Sequence, residues 1–201
     1  NYIRQDYNTS LNFGTGDFSF MGWFNATSVV SQGMISRVAN GLGGTQAGWA
    51  LNTASSGVLG WAIYTTGLHS PGRTNCGFNF TPQINTWHHF VGVRTGGRMF
   101  MYLDGVLDTG LMPYNSADLS DTTNQPELQI GKLANNSSPA SSTRMALWRI
   151  SATAPSPEQV RKMYEEERHL FKDNAKATLF GTDDLVSALS YDDQEGLLHV
   201  G

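Results

Sequence analysis

From Asp17 onward the apolar residues come in short alternating runs, each cut off by glycine, serine, asparagine or aspartate. Alternation with period two marks a strand with one buried face. Asp17-Phe18-Ser19-Phe20-Met21-Gly22-Trp23-Phe24 places Phe18, Phe20 and Phe24 on one side. Residues 33–38, Gly48-Trp49-Ala50-Leu51 and residues 59–64 supply further strands, the last two separated by Ser55-Ser56-Gly57. Residues 86–94 form a longer one, with Trp87, His89, Val91 and Val93 together. Met99-Phe100-Met101-Tyr102-Leu103, then Asp104-Gly105, then Val106-Leu107 is a hairpin, because Asp-Gly supplies the positive φ angles of a type I′ turn. Residues 128–131 and 145–151 close the series. About eight to twelve strands at this spacing predict an all-β antiparallel sandwich or jelly roll. The polar stretches 113–126 and 134–143 read as loops at its rim.

One helix follows the strands. Ser156 is a good N-cap, Pro157 suits the first turn and Gln159 completes a capping box. Val160, Met163, Tyr164, Leu170 and Phe171 form an apolar stripe. Glu165, Glu166 and Glu167 read as a solvated face, and Arg168 and Lys172 suit the C-terminal end of the dipole. Residues 185–191 and 197–200 then flank Asp192-Asp193-Gln194-Glu195-Gly196 as a short terminal hairpin. The expected organisation is a sandwich over 1–155, a helix over 156–175, and a β segment over 176–201 that could open a following domain. The chain starts at Asn1 and stops inside a patterned segment, so it reads as a piece of something longer.

The charge pattern narrows the function. Charged residues are only 15% of the 201, net charge is −4, and no Lys/Arg block is present, so nucleic-acid binding lacks its electrostatic footprint. No apolar run reaches the ~20 residues of a membrane helix. The one cysteine, Cys76, allows no internal disulfide and reads as a core residue. A chain with 22 glycines and abundant Asn, Ser and Thr suits a β-protein with many turns, and a surface for neutral polar ligands.

The order of these signals resembles the laminin G-like, concanavalin A-like superfamily. The resemblance rests on Phe18-Ser19-Phe20-Met21-Gly22-Trp23-Phe24, Ile35-Ser36-Arg37 and Gly48-Trp49-Ala50-Leu51. It continues through Trp87-His88-His89-Phe90-Val91-Gly92-Val93, Tyr102-Leu103-Asp104-Gly105 and Leu128-Gln129-Ile130-Gly131, and ends at Trp148-Arg149-Ile150 with Ser156-Pro157-Glu158-Gln159-Val160. It covers about residues 8–165 and implies a concanavalin A-like jelly roll. The last strand departs from it, with Met145-Ala146-Leu147 where many relatives carry an acidic residue. The segment after Ile150 is similar to stretches in tailed-phage fibre and other virion proteins. The final strand pair is similar to the start of a β-propeller blade.

Catalysis finds little support in the sequence. Glycosidases use two carboxylates, about 5–5.5 Å or 6.5–9.5 Å apart. The resemblance implies a Glu-x-Asp-x-x-Glu strand in the hydrolases of this fold, and no strand here matches it. Glu127 and Asp6, Asp17, Asp104, Asp108, Asp118 and Asp121 are the acids before the helix. The lyase pattern Gln-Ile-His is met only as Gln129-Ile130-Gly131. His88 and His89 point to opposite faces of one strand and cannot easily chelate one ion. No cofactor is required. Calcium, the ion usual in the superfamily, could use Asp118 and Asp121 with Asn115 and Asn124.

Sugar binding needs aromatic faces with polar groups beside them. Candidates are Trp61, Tyr64, Tyr102, Tyr114, Arg37, Arg94 and His69, with Trp49 and Trp87 assigned to the core. A concave face bearing Tyr64, Arg94 and Tyr102 is the expected site. The function expected is a lectin-like, non-catalytic module binding a cell-surface glycan or polysaccharide, in a virion or extracellular setting. The alternative is a structural or assembly module, contacting neighbouring subunits. Two carboxylates in one cleft would bring back a hydrolase.

Overall fold

Side chains alternate across a strand, so each of these segments offers one face to a partner sheet. The computed structural model describes residues 2–28, 31–38, 47–53, 56–65, 72–120, 123, 125–133, 142–172, 189–192 and 197–200. In chain order the strands are β1 (Ile3–Gln5), β2 (Phe18–Ala26), β3 (Gln32–Arg37), β4 (Gly48–Thr53), β5 (Leu59–Tyr64), β6 (Arg73–Phe80) and β7 (Trp87–Thr95). They continue with β8 (Arg98–Leu103), β9 (Val106–Leu107), β10 (Leu128–Ile130), β11 (Thr143–Ser151), β12 (Leu189–Asp192) and β13 (Leu197–Val200). Helix α1 (Pro157–Glu167) lies between β11 and β12.

Two antiparallel sheets make the sandwich. One runs β1-β10-β3-β4-β5-β6 and the other β11-β2-β7-β8-β9. Between them Phe18, Phe20, Phe24, Phe90, Met99 and Met101 meet Ile35, Trp49, Leu51, Trp61 and Ile63. Phe20 stacks on Trp49 at 4.4 Å between centroids and stands edge-on to Trp61 at 5.3 Å. Each such buried ring contributes roughly 1.5–3 kcal/mol by its removal from water.

The outer face of the five-stranded sheet is apolar as well. Met21, Val91, Val93 and Tyr102 pack against Val160 and Met163 of α1. The helix begins as its sequence predicts, with the Ser156 hydroxyl accepting from the Gln159 N–H and the Gln159 side chain accepting from the Ser156 N–H. Its stripe is shorter than expected. The helix ends at Glu167, and the 3₁₀ turn Arg168–Phe171 leaves Leu170 56% exposed. The acidic run is not all solvated either. Glu167 accepts from Trp23 Nε1 at 2.7 Å and pairs with Arg149 at 2.7 Å, tying α1 to β2 and β11.

The chain divides into a unit over 1–168 and a second over 169–201. Helix α1 therefore belongs with the sandwich. In the second unit β12 pairs antiparallel with β13, Leu189 opposite Val200, where a hairpin was expected. Strands β1 and β6 had no place in the sequence reading. Both lie at sheet edges, and β6 carries Asn75 and Gly77, residues that suit strands poorly. Trp87, expected in the core, is half-buried.

Candidate functional site

The expected concave face does not exist. Tyr102 pairs with Val91 and lies under α1. Arg94 pairs with Phe18 and Met99, so it points between the sheets. Tyr64 lies on the far side of the other sheet, buried with Val38, Ala50 and Ala62. Period-two alternation says which residues share a face, but not which face meets water. Here a helix covers the outside of one sheet, and apolar neighbours bury Tyr64 on the other.

Each buried candidate is held by structural contacts. Trp61 is fully buried and donates from Nε1 to the Phe100 carbonyl at 3.0 Å, so its face is closed to a sugar. Arg37 is buried and donates to the Leu119 carbonyl and to Asn12 Oδ1. Arg94 donates to the carbonyls of Gly14, Gly16 and Ala117 at 2.6–2.9 Å. Burial pushes the Tyr64 hydroxyl up, opposed by the Arg73 guanidinium 5.7 Å from its ring. Burial also raises Tyr102. His69 and Asp121 lie outside the described residues.

Among the described residues the calcium reading gains no cage. Asp118 is exposed and its Oδ1 accepts from the Ser120 N–H at 2.8 Å. Asn115 is committed on both sides, donating to Thr74 Oγ1 and accepting from the Ala117 N–H. Among the described residues no group of three or more His, Cys, Asp or Glu side chains could hold a metal ion. Asn124 also lies outside them.

Tyr114 is the exception, 65% exposed. The segment that presents it laces the two sheets together along one side. It starts as β9 beside β8 and crosses to β6, where Gly77 and Leu111 exchange backbone hydrogen bonds. It then returns to β8, where Met99 donates to the Pro113 carbonyl and Arg98 bridges Tyr114. Two glycines make this path possible. A Cβ on Gly77 (φ +83°) would meet Met101 Sδ at 2.5 Å, and one on Gly97 (φ +75°) would meet the Tyr114 ring at 2.6 Å. The tyrosine is thus seated on backbone, while Val106 (69%) and Leu111 (55%) are exposed on the same segment.

Where the lacing segment leaves β9, a pocket of about 370 Å³ opens. Phe80, Leu103, Val106 and Leu107 give it apolar walls, and Asn79, Asp104, Asp108 and Thr109 its polar groups. Asp104, at φ +52° in the hairpin turn, receives His88 Nδ1 at 2.7 Å and the His89 N–H at 2.8 Å. Asp108 accepts from the Gly110 N–H through Oδ1 at 2.7 Å, while its buried Oδ2 has no hydrogen-bond donor. Sequence reading missed this site because Asn79 and Phe80 lie on an unrecognised strand far along the chain from Asp108. The Asp108-Thr109-Gly110 turn was the one local signal. A larger cleft of about 440 Å³ beside α1, floored by Met21 and Met163, has no aromatic ring. Cys76, beneath the site, is buried, and burial pushes its thiol up to about 12, so it is no nucleophile.

The fold has solved counterparts. The receptor-binding domain of a botulinum neurotoxin mosaic serotype C/D aligns at 15% identity with a TM-score of 0.57, covering 83% of this chain and 40% of that one. Botulinum neurotoxin type C, whose cell entry depends on interaction with two ganglioside molecules, aligns at 14% with a TM-score of 0.55, covering 82% and 39%. A heptameric SAP-like pentraxin from Limulus polyphemus aligns at 14% with a TM-score of 0.53, covering 81% and 75%. The chain therefore spans about 40% of the length of the neurotoxin domains it matches. No curated protein matches by sequence. The family model for the concanavalin A-like lectin/glucanases superfamily matches residues 2–161, and the chain belongs to that superfamily.

Proposed function

We propose that this chain is a non-catalytic glycan-binding module, acting within a larger virion or cell-surface protein. The observation that carries the reading is the pocket between β6 and the lacing segment. An aromatic ring, an amide and carboxylates line one small cavity, and an exposed aromatic, Tyr114, stands further along the same segment. Apolar ring faces with a few polar groups beside them are what a sugar requires. The superfamily supports the reading, and so does the ganglioside dependence of the similar neurotoxin. Binding through so shallow a site is weak, and several copies in one assembly would raise it by avidity.

A glycan array probed with the purified chain, with calcium and with a chelator, tests this. Hits are expected in both conditions, weakened about tenfold by Phe80→Ala and by Tyr114→Ala, the loss of one stacking contact. Loss of binding only with chelator would move the site to the Asp118 loop. A blank array with a folded protein would overturn the reading in favour of an assembly module.

A second reading draws on one observation, since Asp104 and Asp108 share the pocket as the two acids of a glycosidase share a cleft. Against it, both Asp104 oxygens accept structural hydrogen bonds. Chromatography of the array hits after long incubation separates the two, because a binding module leaves them uncut.

A further inference from the structure

We infer that α1 is an acid-released latch: protonation of His89 frees the helix from the sandwich and uncovers the apolar outer face of the five-stranded sheet. His89 lies on β7, fully buried where the helix packs on that sheet. Its ring sits between Trp23 of β2, 5.1 Å away, and Tyr164 of α1, 6.3 Å away. Both ring nitrogens are shielded from water, and neither has a hydrogen-bond partner. A neutral imidazole leaves one donor and one acceptor unmet there. An imidazolium would leave two donors and a full charge.

The charged groups around the ring are already engaged. Glu167 of α1 gives Oε2 to Trp23 Nε1 and Oε1 to Arg149 of β11, whose guanidinium repels a second cation. Asp104, in the turn after β8, gives Oδ1 to the His89 backbone N–H and Oδ2 to His88 Nδ1. On the helix side, Arg168 lies 6.0 Å from the Tyr164 ring. Burial lowers the His89 pKa to about 4 despite Glu167 and Asp104, and Arg149 adds to the shift. Once α1 detaches, water reaches the imidazole and it takes up the proton at its ordinary value, so acid favours the detached state. The helix is poised for this. Val160 is its one buried residue, and α1 closes the 1–168 unit, so it can leave without pulling out a strand. The Ser19 hydroxyl donates to the Thr153 carbonyl, which leaves residues 154–156 as the hinge.

Hydrogen exchange of the full chain at pH 7 and pH 4.5, corrected for the pH dependence of the intrinsic rates, tests the latch. Amides of α1 should exchange through openings that leave β2 and β7 protected. Those openings should become about fiftyfold more frequent at pH 4.5, from a histidine pKa of about 4 when covered and 6.5 when open. His89→Phe, which keeps a ring between Trp23 and Tyr164 but takes no proton, should abolish the increase. Glu167→Gln should retain it, which separates His89 from loss of the Glu167 charge. An increase that survives in His89→Phe or vanishes in Glu167→Gln overturns the latch. So does exchange of α1 and the strands at one common rate, since the opening would then be global. Proton NMR of the native imidazole needs no variant: a His89 that titrates near 6.5 while α1 stays protected also overturns it.

Discussion

Arg94 shows at the scale of one residue why a plausible ligand contact can be structural. It is fully buried, 5.0 Å over the Phe18 ring, and burial holds its pKa below the usual arginine value despite Asp17 and Asp118. Its guanidinium serves the carbonyls of Gly14, Gly16 and Ala117, joining the loop before β2 to the loop after Tyr114. No carboxylate stands among these partners, so the planar fork of donors matters more than the charge. Arg94→Met would leave the Gly16 and Ala117 carbonyls without this donor, while the Gly14 carbonyl keeps the Leu119 N–H, and should cost about 3 kcal/mol. Arg94→Lys should recover little of that, because an ammonium cannot reach all three. Urea unfolding of both variants checks this, and a Lys variant as stable as the native chain would mean that charge alone suffices.

At the scale of elements, strands could be found from alternation, but their surroundings could not. Phe18, Phe20 and Phe24 fall on the core side as expected. Val91, Val93 and Tyr102 were equally apolar in pattern, yet they serve the interface with α1. A helix covering a sheet makes both faces hydrophobic, and then the period no longer tells inside from outside. Strand β6 was hidden by its polar residues, and the Asn79 and Phe80 wall of the candidate pocket went with it. The α1 interface carries its own pH dependence. His89 lies buried between the rings of Trp23 (5.1 Å) and Tyr164 (6.3 Å), with neither ring nitrogen hydrogen-bonded. Burial lowers its pKa to about 4, with Arg149 lowering it further and Glu167 and Asp104 opposing. An unfolded histidine titrates near 6.5, so the unfolded chain binds the proton first. The stability gained by keeping His89 neutral is therefore complete above about pH 6.5 and is lost as pH falls towards 4, at most about 3 kcal/mol. Thermal melts from pH 8 to 4 should show this slope, and His89→Phe should flatten it. An unchanged slope in the variant would place the acid sensitivity elsewhere.

For the whole molecule, the same interface decides where the folding unit ends. The three buried clusters of the described residues, the pocket and Tyr114 all fall within residues 1–168, and the second of these clusters includes Val160 of α1. A boundary at residue 155, where the strand pattern stops in the sequence, would uncover Met21, Val91, Val93 and Tyr102 together. An apolar patch on a free sheet face promotes aggregation. A boundary at residue 172 keeps α1, its capping box and the Glu167 contacts to Trp23 and Arg149. A chain ending at Lys172 should therefore melt within about 3 °C of the full chain, the effect of roughly 1 kcal/mol at this size, and bind the same glycans. A chain ending at Pro155 should aggregate or melt far lower. Calorimetry and light scattering on the two shortened chains decide it. A stable, monodisperse protein ending at Pro155 would show that the helix is an appendage and that the five-stranded sheet tolerates an open outer face. Loss of stability on ending at Lys172 would show that the sandwich depends on residues 173–201.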